Sequence, residues 1–298
     1  MTKSPCRATH FSPGQSRPFP ELGLRRPGLD LPKRENPVFI QEVSIEIKNP
    51  KVDRTELIDK MEWFAAATHK NGQSQARFDP IYLRDNCMVW LTYTLEKTSL
   101  SRKNDNIYVK QCRSELEKMC QAKFQVKTLG KDTSQTKRIC RCRKPTSYIL
   151  WTNCYSLISP LDCGDCGGNV PLYRTPKPPE PGEQEYYSIG CWETAYRACD
   201  HLQMLCSFGE RWGMRQMQDH NSGLSKEGRE VCRNIEKMVG VPVYYYLFNY
   251  RRMTEEQDKQ RKCPECGNDW LLANQWHRMF DFRCEPCRLV SSITCNSQ

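Results

Sequence analysis

Eight of the chain's 18 cysteines fall in close pairs, and these are the residues best placed to do chemistry. The C-terminal stretch reads CPECG at 263–267 and CEPC at 284–287, with 17 residues between Cys266 and Cys284. Two Cys-x-x-Cys turns separated by roughly 15–20 residues are the pattern of a four-thiolate metal site. Each turn brings two sulfurs together. A β-hairpin then returns the second pair to complete a tetrahedron around zinc, with Zn–S near ~2.3 Å. Gly267, just past the second cysteine, suits a turn that needs positive φ. Cys263, Cys266, Cys284 and Cys287 are therefore the expected ligands. Iron held by the same donors is the alternative, because thiolate softness serves both metals.

A second set lies mid-chain. Cys140-x-Cys142 is followed, with 20 residues between, by CGDCG carrying Cys163 and Cys166. The spacing predicts a second zinc site on Cys140, Cys142, Cys163 and Cys166; a redox CGDC pair or scattered structural cysteines are the alternatives. The same region is strongly basic. Over residues 123–144, Lys123, Lys127, Lys131, Lys137, Arg138, Arg141, Arg143 and Lys144 face a single acid, Asp132. This run is the candidate surface for the phosphates of a nucleic acid, and a solvated charged loop is the plainer reading.

Several elements must position these groups. Residues 1–37 hold seven prolines and no apolar periodicity, which predicts a disordered leader. From Phe39 the pattern becomes globular. Val43, Ile45 and Ile47 alternate with Glu42, Ser44 and Glu46 as a half-buried strand. Asp53 and Glu56 signal the start of a helix with Leu57, Met61, Phe64, Ala65 and Thr68 inside. Strands over 77–83 and 87–96 follow, joined by a turn at Arg84, Asp85 and Asn86. A helix with Val109, Cys112, Leu116, Met119 and Cys120 on its apolar stripe leads to a strand over 124–128. The order β-α-β-β-α-β predicts a ferredoxin-like domain at 38–132. Cys87, Cys112 and Cys120 lie on apolar stripes and read as core, as does Cys154 in a strand-like run.

Beyond this the chain divides into a Cys-rich basic loop (133–184) that ends in a proline-rich linker, a helical segment with a strand (185–258) and a zinc ribbon (259–298). Trp192, Ala195, Tyr196, Cys199, Leu202 and Cys206 predict one helix, with Asp200 on its polar side. Leu224, Val231, Cys232, Ile235 and Met238 predict another, begun by Ser222 or Ser225 and ended by Gly240 and Pro242. Residues 243–250 read as a buried strand and 251–262 as a hinge into the ribbon. The fold class is α+β.

Composition narrows the function. The first 30 residues hold no apolar signal core and no run of ~18 apolar residues occurs, so a reducing cytoplasm with thiolate–metal sites is expected, without membrane attachment. The net charge of +10 favours an anionic partner. Two filled four-thiolate zinc sites, each carrying −2, would lower it to about +6. No phosphate-binding glycine loop, nucleophile elbow or HExxH motif is present. A hydrolytic pairing of Cys199 or Cys206 with His201 or His220 has no supporting signature. No enzyme activity and no small-molecule substrate are expected.

The chain resembles a bacterial family of uncharacterised Zn-ribbon-containing proteins with a suggested nucleic-acid-binding role. The likeness spans about 39–293. It is carried by CGDCGGNVPLYR (163–174), CDHLQM (199–204), GERWGMRQM (209–217), YYYLFNY (244–250), CPECG (263–267) and FDFRCEPCRL (280–289). The resemblance implies zinc on Cys263, Cys266, Cys284 and Cys287, and places Cys140, Cys142, Cys163 and Cys166 on the family's other cysteine element. Three functions follow for testing. In the first, the chain is a non-catalytic nucleic-acid-binding protein, with Trp270, Trp276, Phe280 and Phe282 available to stack on bases and Arg278, Arg283 and Arg288 to meet phosphate, although the alternation around Phe280 and Phe282 also suits a hairpin core. The second is a protein–protein adaptor with structural zinc. The third is a thiol-redox or metal-handling protein.

Overall fold

The computed structural model describes residues 37–75, 80–136, 138–175 and 186–294. The leader through residue 36, Lys137, the linker prolines at 176–181 and part of the strand expected at 77–83 lie outside the described residues. Mixed α and β elements form two sheets.

The first sheet combines β1 (Pro37–Glu46), β2 (Ile81–Arg84), β3 (Cys87–Thr94) and β4 (Gln125–Thr136) with helices α1 (Arg54–Lys70) and α2 (Ile107–Cys120). Its order is β2-β3-β1-β4, with β1 antiparallel to both neighbours. Alternation along β1 and one residue beyond it sends Val43, Ile45 and Ile47 into a core shared with Leu57, Met61 and Phe64 of α1 and Leu116 of α2. Asp53 caps α1 by accepting from the Thr55 and Glu56 amides. Asn106 caps α2 in the same way through Val109.

Two charged residues of α2 are buried, which apolar periodicity alone does not foresee. Arg113 donates to both carboxylate oxygens of Asp105, at 2.6 and 3.0 Å, beneath the rings of Phe64 and Phe124. Glu117 accepts from Arg102, from Lys123 at 3.0 Å and from the Phe124 amide at 3.2 Å. β4 continues well past the expected residue 128, because its register with β1 absorbs shifts between Ile40 and Gln41 and again between Pro37 and Val38.

The second sheet contains β5 (Tyr148–Leu150), β6 (Leu161–Cys163), β7 (Val243–Tyr246), β8 (Leu271–Trp276), β9 (Phe280–Cys284) and β10 (Leu289–Ser291). Its order is β6-β5-β7-β10-β9-β8. β7 runs parallel to both β5 and β10, so the C-terminal hairpin strands continue the sheet of the Cys-rich middle without a break. Helices α3 (Tyr187–Leu205), α4 (Glu210–Gln218), α5 (Gly223–Val239) and α6 (Glu255–Lys259) complete this part. Val243 and Tyr245 pack with Trp192, Tyr196 and Val231 in one cluster. Tyr244 and Tyr246 join Ile149, Phe280 and Val290 in another. A strand buried on both faces has no polar side, hence the unbroken apolar run at 243–248.

Three expectations change here. The strand-like run around Cys154 stops at Leu150, since Asn153 turns the chain by accepting from the Tyr155 amide at 3.0 Å. Cys154 is buried, but its amide donates to Asp200 at 2.7 Å, so Asp200 faces inward rather than outward. Residues 251–262 are a fixed joint and not a hinge. Thr254 and Gln257 form a capping box, and buried Asp258 receives Asn249, Arg261 and the Thr294 amide at 2.7–2.8 Å. Among the described residues no helix is long and apolar enough to cross a membrane.

Candidate metal centres

The C-terminal centre is built by two turns. In the first, the Cys263 amide donates to the Asn268 carbonyl and the Gly267 amide to the Cys263 carbonyl, both at 2.9 Å. Closing that turn puts Gly267 at φ 74°, a region that penalises any Cβ. The second turn joins β9 to β10 and brings Leu289 opposite Cys284. The sulfurs of Cys263, Cys266, Cys284 and Cys287 all lie within 4.8 Å of one another, with Cys266 and Cys284 at 3.6 Å. A tetrahedron with ~2.3 Å metal–sulfur bonds has edges near ~3.8 Å, so the four sulfurs need little adjustment to close on one ion. Behind them Trp270 and Phe282 pack at 5.1 Å, and Trp270 donates to the Arg261 carbonyl at 2.8 Å. The Arg261 guanidinium lies over both rings while paired with Asp258.

The mid-chain centre repeats this construction. The Cys163 amide donates to Gly168 and the Gly167 amide to Cys163, both at 2.8 Å, with Gly167 at φ 64°. Cys140 comes from the facing segment, which is held by Asn169. The Asn169 carbonyl accepts from the Cys140 amide at 2.8 Å, and its buried side chain donates to Ser159 and Asp162. The sulfurs of Cys140, Cys142, Cys163 and Cys166 also lie within 4.8 Å of one another. In both centres the first and third cysteines are buried and the second is exposed.

Backbone amides aim at the sulfurs. The Cys142 amide reaches Cys140 Sγ and the Gly168 amide reaches Cys166 Sγ, each at 3.4 Å. Such donors favour thiolate over thiol, whereas burial favours thiol. Cys266, fully exposed, is brought down to about 7, mainly by the Asn268 amide. At Cys166 burial works upward, but the Gly168 amide and the neighbouring thiols outweigh it and its pKa falls. Burial pushes Cys163 and Cys284 up to about 11, and raises Cys140 and Cys287 as well. An ion at each centre would hold all four as thiolates. Donor chemistry restricts that ion. All-sulfur sets suit zinc or iron and offer none of the oxygens that calcium or magnesium require.

The basic run divides between two places. Lys123, Lys127 and Lys131 lie on or beside edge strand β4. Lys123 is taken up by Glu117, and Lys127 stands across from Glu42. Arg138, Arg141, Arg143 and Lys144 are exposed around the mid-chain centre and close no ion pair among the described residues. The ribbon aromatics are not available for stacking on bases. Trp270, Phe280 and Phe282 are buried in the hairpin core, and Trp276 donates to the Gly164 carbonyl at 3.0 Å. Arg283 is occupied by Glu285, and Arg288 by Glu236 and Glu285. Neither Cys199 nor Cys206 meets a histidine among the described residues; Cys206 Sγ instead donates to the Gln203 carbonyl.

Trp276 and His277 both reach the Gly164 carbonyl of the mid-chain turn, a contact that spacing alone does not reveal. They sit at the tip of the β8–β9 hairpin, where His277 and Arg278 take φ 53° and 59° in a turn closed by the Met279 amide donating to the Trp276 carbonyl at 3.2 Å. The usual signal for that turn, Asn-Gly or Asp-Gly, is absent. No local pattern points from this tip to the mid-chain cysteines.

Comparison with known proteins places these centres in a wider group. A family model described as "Domain of unknown function (DUF2310)" matches residues 142–248, and a second, "Domain of unknown function (DUF8594)", matches 252–297. The first interval holds Cys142, Cys163 and Cys166, and the second holds the whole C-terminal set. An uncharacterised protein of Haemophilus influenzae is 32% identical over 230 residues, covering 76% of this chain and 87% of the relative. Another uncharacterised protein of that organism is 36% identical over 152 residues, covering 51% and 73%. No solved structure matches the chain.

Proposed function

The chain belongs to the DUF2310 family, and from that premise we propose that it is a non-catalytic nucleic-acid-binding protein held in shape by two zinc ions. The observation that carries the metal half is the pair of four-sulfur clusters, each with every ligand atom within 4.8 Å of the others. In this reading zinc staples each pair of turns, much as disulfides would, but in the reducing cytoplasm. The first sheet is a ferredoxin-like domain, supported by its β-α-β-β-α-β order and the strand order β2-β3-β1-β4.

Support for nucleic acid comes from charge. Arg138, Arg141, Arg143 and Lys144 surround a centre whose own net charge would be −2, and they extend beyond what is needed to offset it. The proposed partner is a polynucleotide, with no small-molecule substrate and no membrane. The test is a metal assay followed by titration with mixed DNA and RNA at ~50 and ~200 mM salt. Several phosphate contacts should lower affinity by orders of magnitude across that range, and absence of binding at the lower salt would refute the reading.

One observation favours a second reading, a protein adaptor. Val126 and Leu129 are 41% and 47% exposed on β4, an edge strand able to accept a partner strand. That reading expects saturable protein binding that does not weaken steeply with salt.

A further inference from the structure

We propose that the outward face of α4, together with Arg251, is a subsite for single-stranded nucleic acid, with arginines gripping phosphate and aromatic rings stacking on bases. This deepens the function proposed above and rests on it. It assigns binding to a surface separate from the basic run at 123–144.

The helix faces are well separated. Gly213 and Met217 turn inward, Gly213 lying directly against the Cys199 carbonyl of α3. Arg211, Arg215 and Trp212 fall on the other side, as helical spacing requires. Trp212 is 57% exposed, and Phe208, in the loop just before the helix, is 76% exposed.

On the arginine side of the helix lies a recess of about 360 Å³ whose lining includes Arg211, Arg215, Gln218, Asp219, Arg251 and Pro264, but neither Trp212 nor Phe208. That volume is at the lower end of small-ligand sites, roughly 300–1,000 Å³, and accommodates a phosphate with part of its sugar. Its walls are fixed. The Tyr250 amide donates to Gln218 Oε1 at 2.9 Å, and the Arg251 amide and carbonyl are both bonded to the Thr294 hydroxyl. Pro264 belongs to the CPECG turn, so the C-terminal cysteine centre forms one wall.

Charge selects the occupant. Arg211 and Arg251 make no ion pair among the described residues, and the guanidinium of Arg215 reaches only Asp219, at 3.9 Å. Glu265, next to Pro264 in the CPECG turn, is bound by Arg229 at 2.8 Å and flanked by His220. Three arginines against the one lining carboxylate, Asp219, leave the recess cationic. Planar guanidinium groups match phosphate oxygens in pairs. The exposed rings of Trp212 and Phe208, outside the recess itself, ask for bases that are already unstacked, which a single strand offers and a duplex does not.

The test uses the full-length, zinc-loaded protein and fluorescein-labelled 16-nucleotide single strands, one RNA and one DNA of the same sequence, read by anisotropy. Trp212→Ala should weaken binding about tenfold with the salt slope unchanged, and Trp212→Phe should restore most of it. Arg211→Gln with Arg251→Gln should weaken binding and reduce the slope of log K against log salt by about 1.4, two phosphates at ~0.7 each. If these variants bind like wild type while Arg141→Gln with Arg143→Gln and Lys144→Gln does not, this subsite is refuted and the broader function stands. Absence of binding by the wild type at low salt overturns both. Trp212-dependent capture of polyglutamate in preference to either strand overturns the nucleic-acid assignment of this face.

Discussion

His277 Nε2 lies 2.6 Å from the carbonyl oxygen of Gly164, so the tip of the C-terminal hairpin rests on the mid-chain cysteine turn. The neighbouring Trp276 indole donates to the same oxygen. Two centres far apart in sequence thus share a carbonyl clamp. Loss of metal from one should be felt at the other. Cys287→Ser is expected to leave one zinc per chain, and that zinc should transfer to a colorimetric chelator several times faster than in wild type. Equal transfer rates would mean that the clamp carries no coupling.

The two turn glycines differ in a way that mutation can read. Gly267 has open space where a Cβ would point, so Gly267→Ala should cost only the backbone penalty of its positive φ, about 1–2 kcal/mol. A Cβ at Gly167 would come within 2.9 Å of His277 Nδ1. Gly167→Ala should therefore cost more, and His277→Ala should recover part of the difference in a double-mutant cycle read by urea unfolding.

Arg113 and Asp105 form a buried pair whose side chains are almost fully enclosed. Removing one partner strands the other charge. Asp105→Ala should destabilise the protein by about 3–5 kcal/mol in urea unfolding, whereas a surface pair such as Lys48–Glu46 should cost less than ~1 kcal/mol.

Glu117 sets part of the acid limit. Burial raises its pKa, but Lys123, the Phe124 amide and Arg102 together outweigh that and hold it below the ordinary 4.5. A lowered folded value means the carboxylate stabilises the fold fully above pH 4.5 and loses that contribution as pH falls through the folded value. Glu117→Gln should be less stable at pH 6 and show a flatter decline towards pH 3. Parallel stability curves for the two proteins would contradict this.

Residues differ in how plainly the sequence announces them. The eight clustered cysteines were legible because a four-sulfur group is encoded in short, local spacings. Phe280 and Phe282 could be placed in the hairpin by alternation alone. Arg113 and Glu117 could not, since a charge is presumed to face water until its partner is known, and Asp105 and Arg102 are brought to them by tertiary packing. α4 escaped notice because its inward face is only Gly213 and Met217, too thin a stripe to register as periodic. The pairing of β7 with β10 was hidden for a different reason: strand partners are chosen across the fold, and nothing within 243–248 names 289–291.

That pairing governs when the molecule can mature. β10 is made after every other strand of its sheet, yet it sits between β7 and β9 and not at an edge. On a ribosome adding ~5–20 residues per second, β7 has an unfilled side, and the mid-chain thiols lack their hairpin cover, for on the order of ten seconds. Through that interval the nascent chain exposes bare strand edge and unmetallated sulfur together. A truncation that stops short of residue 289 should remain in that vulnerable condition permanently.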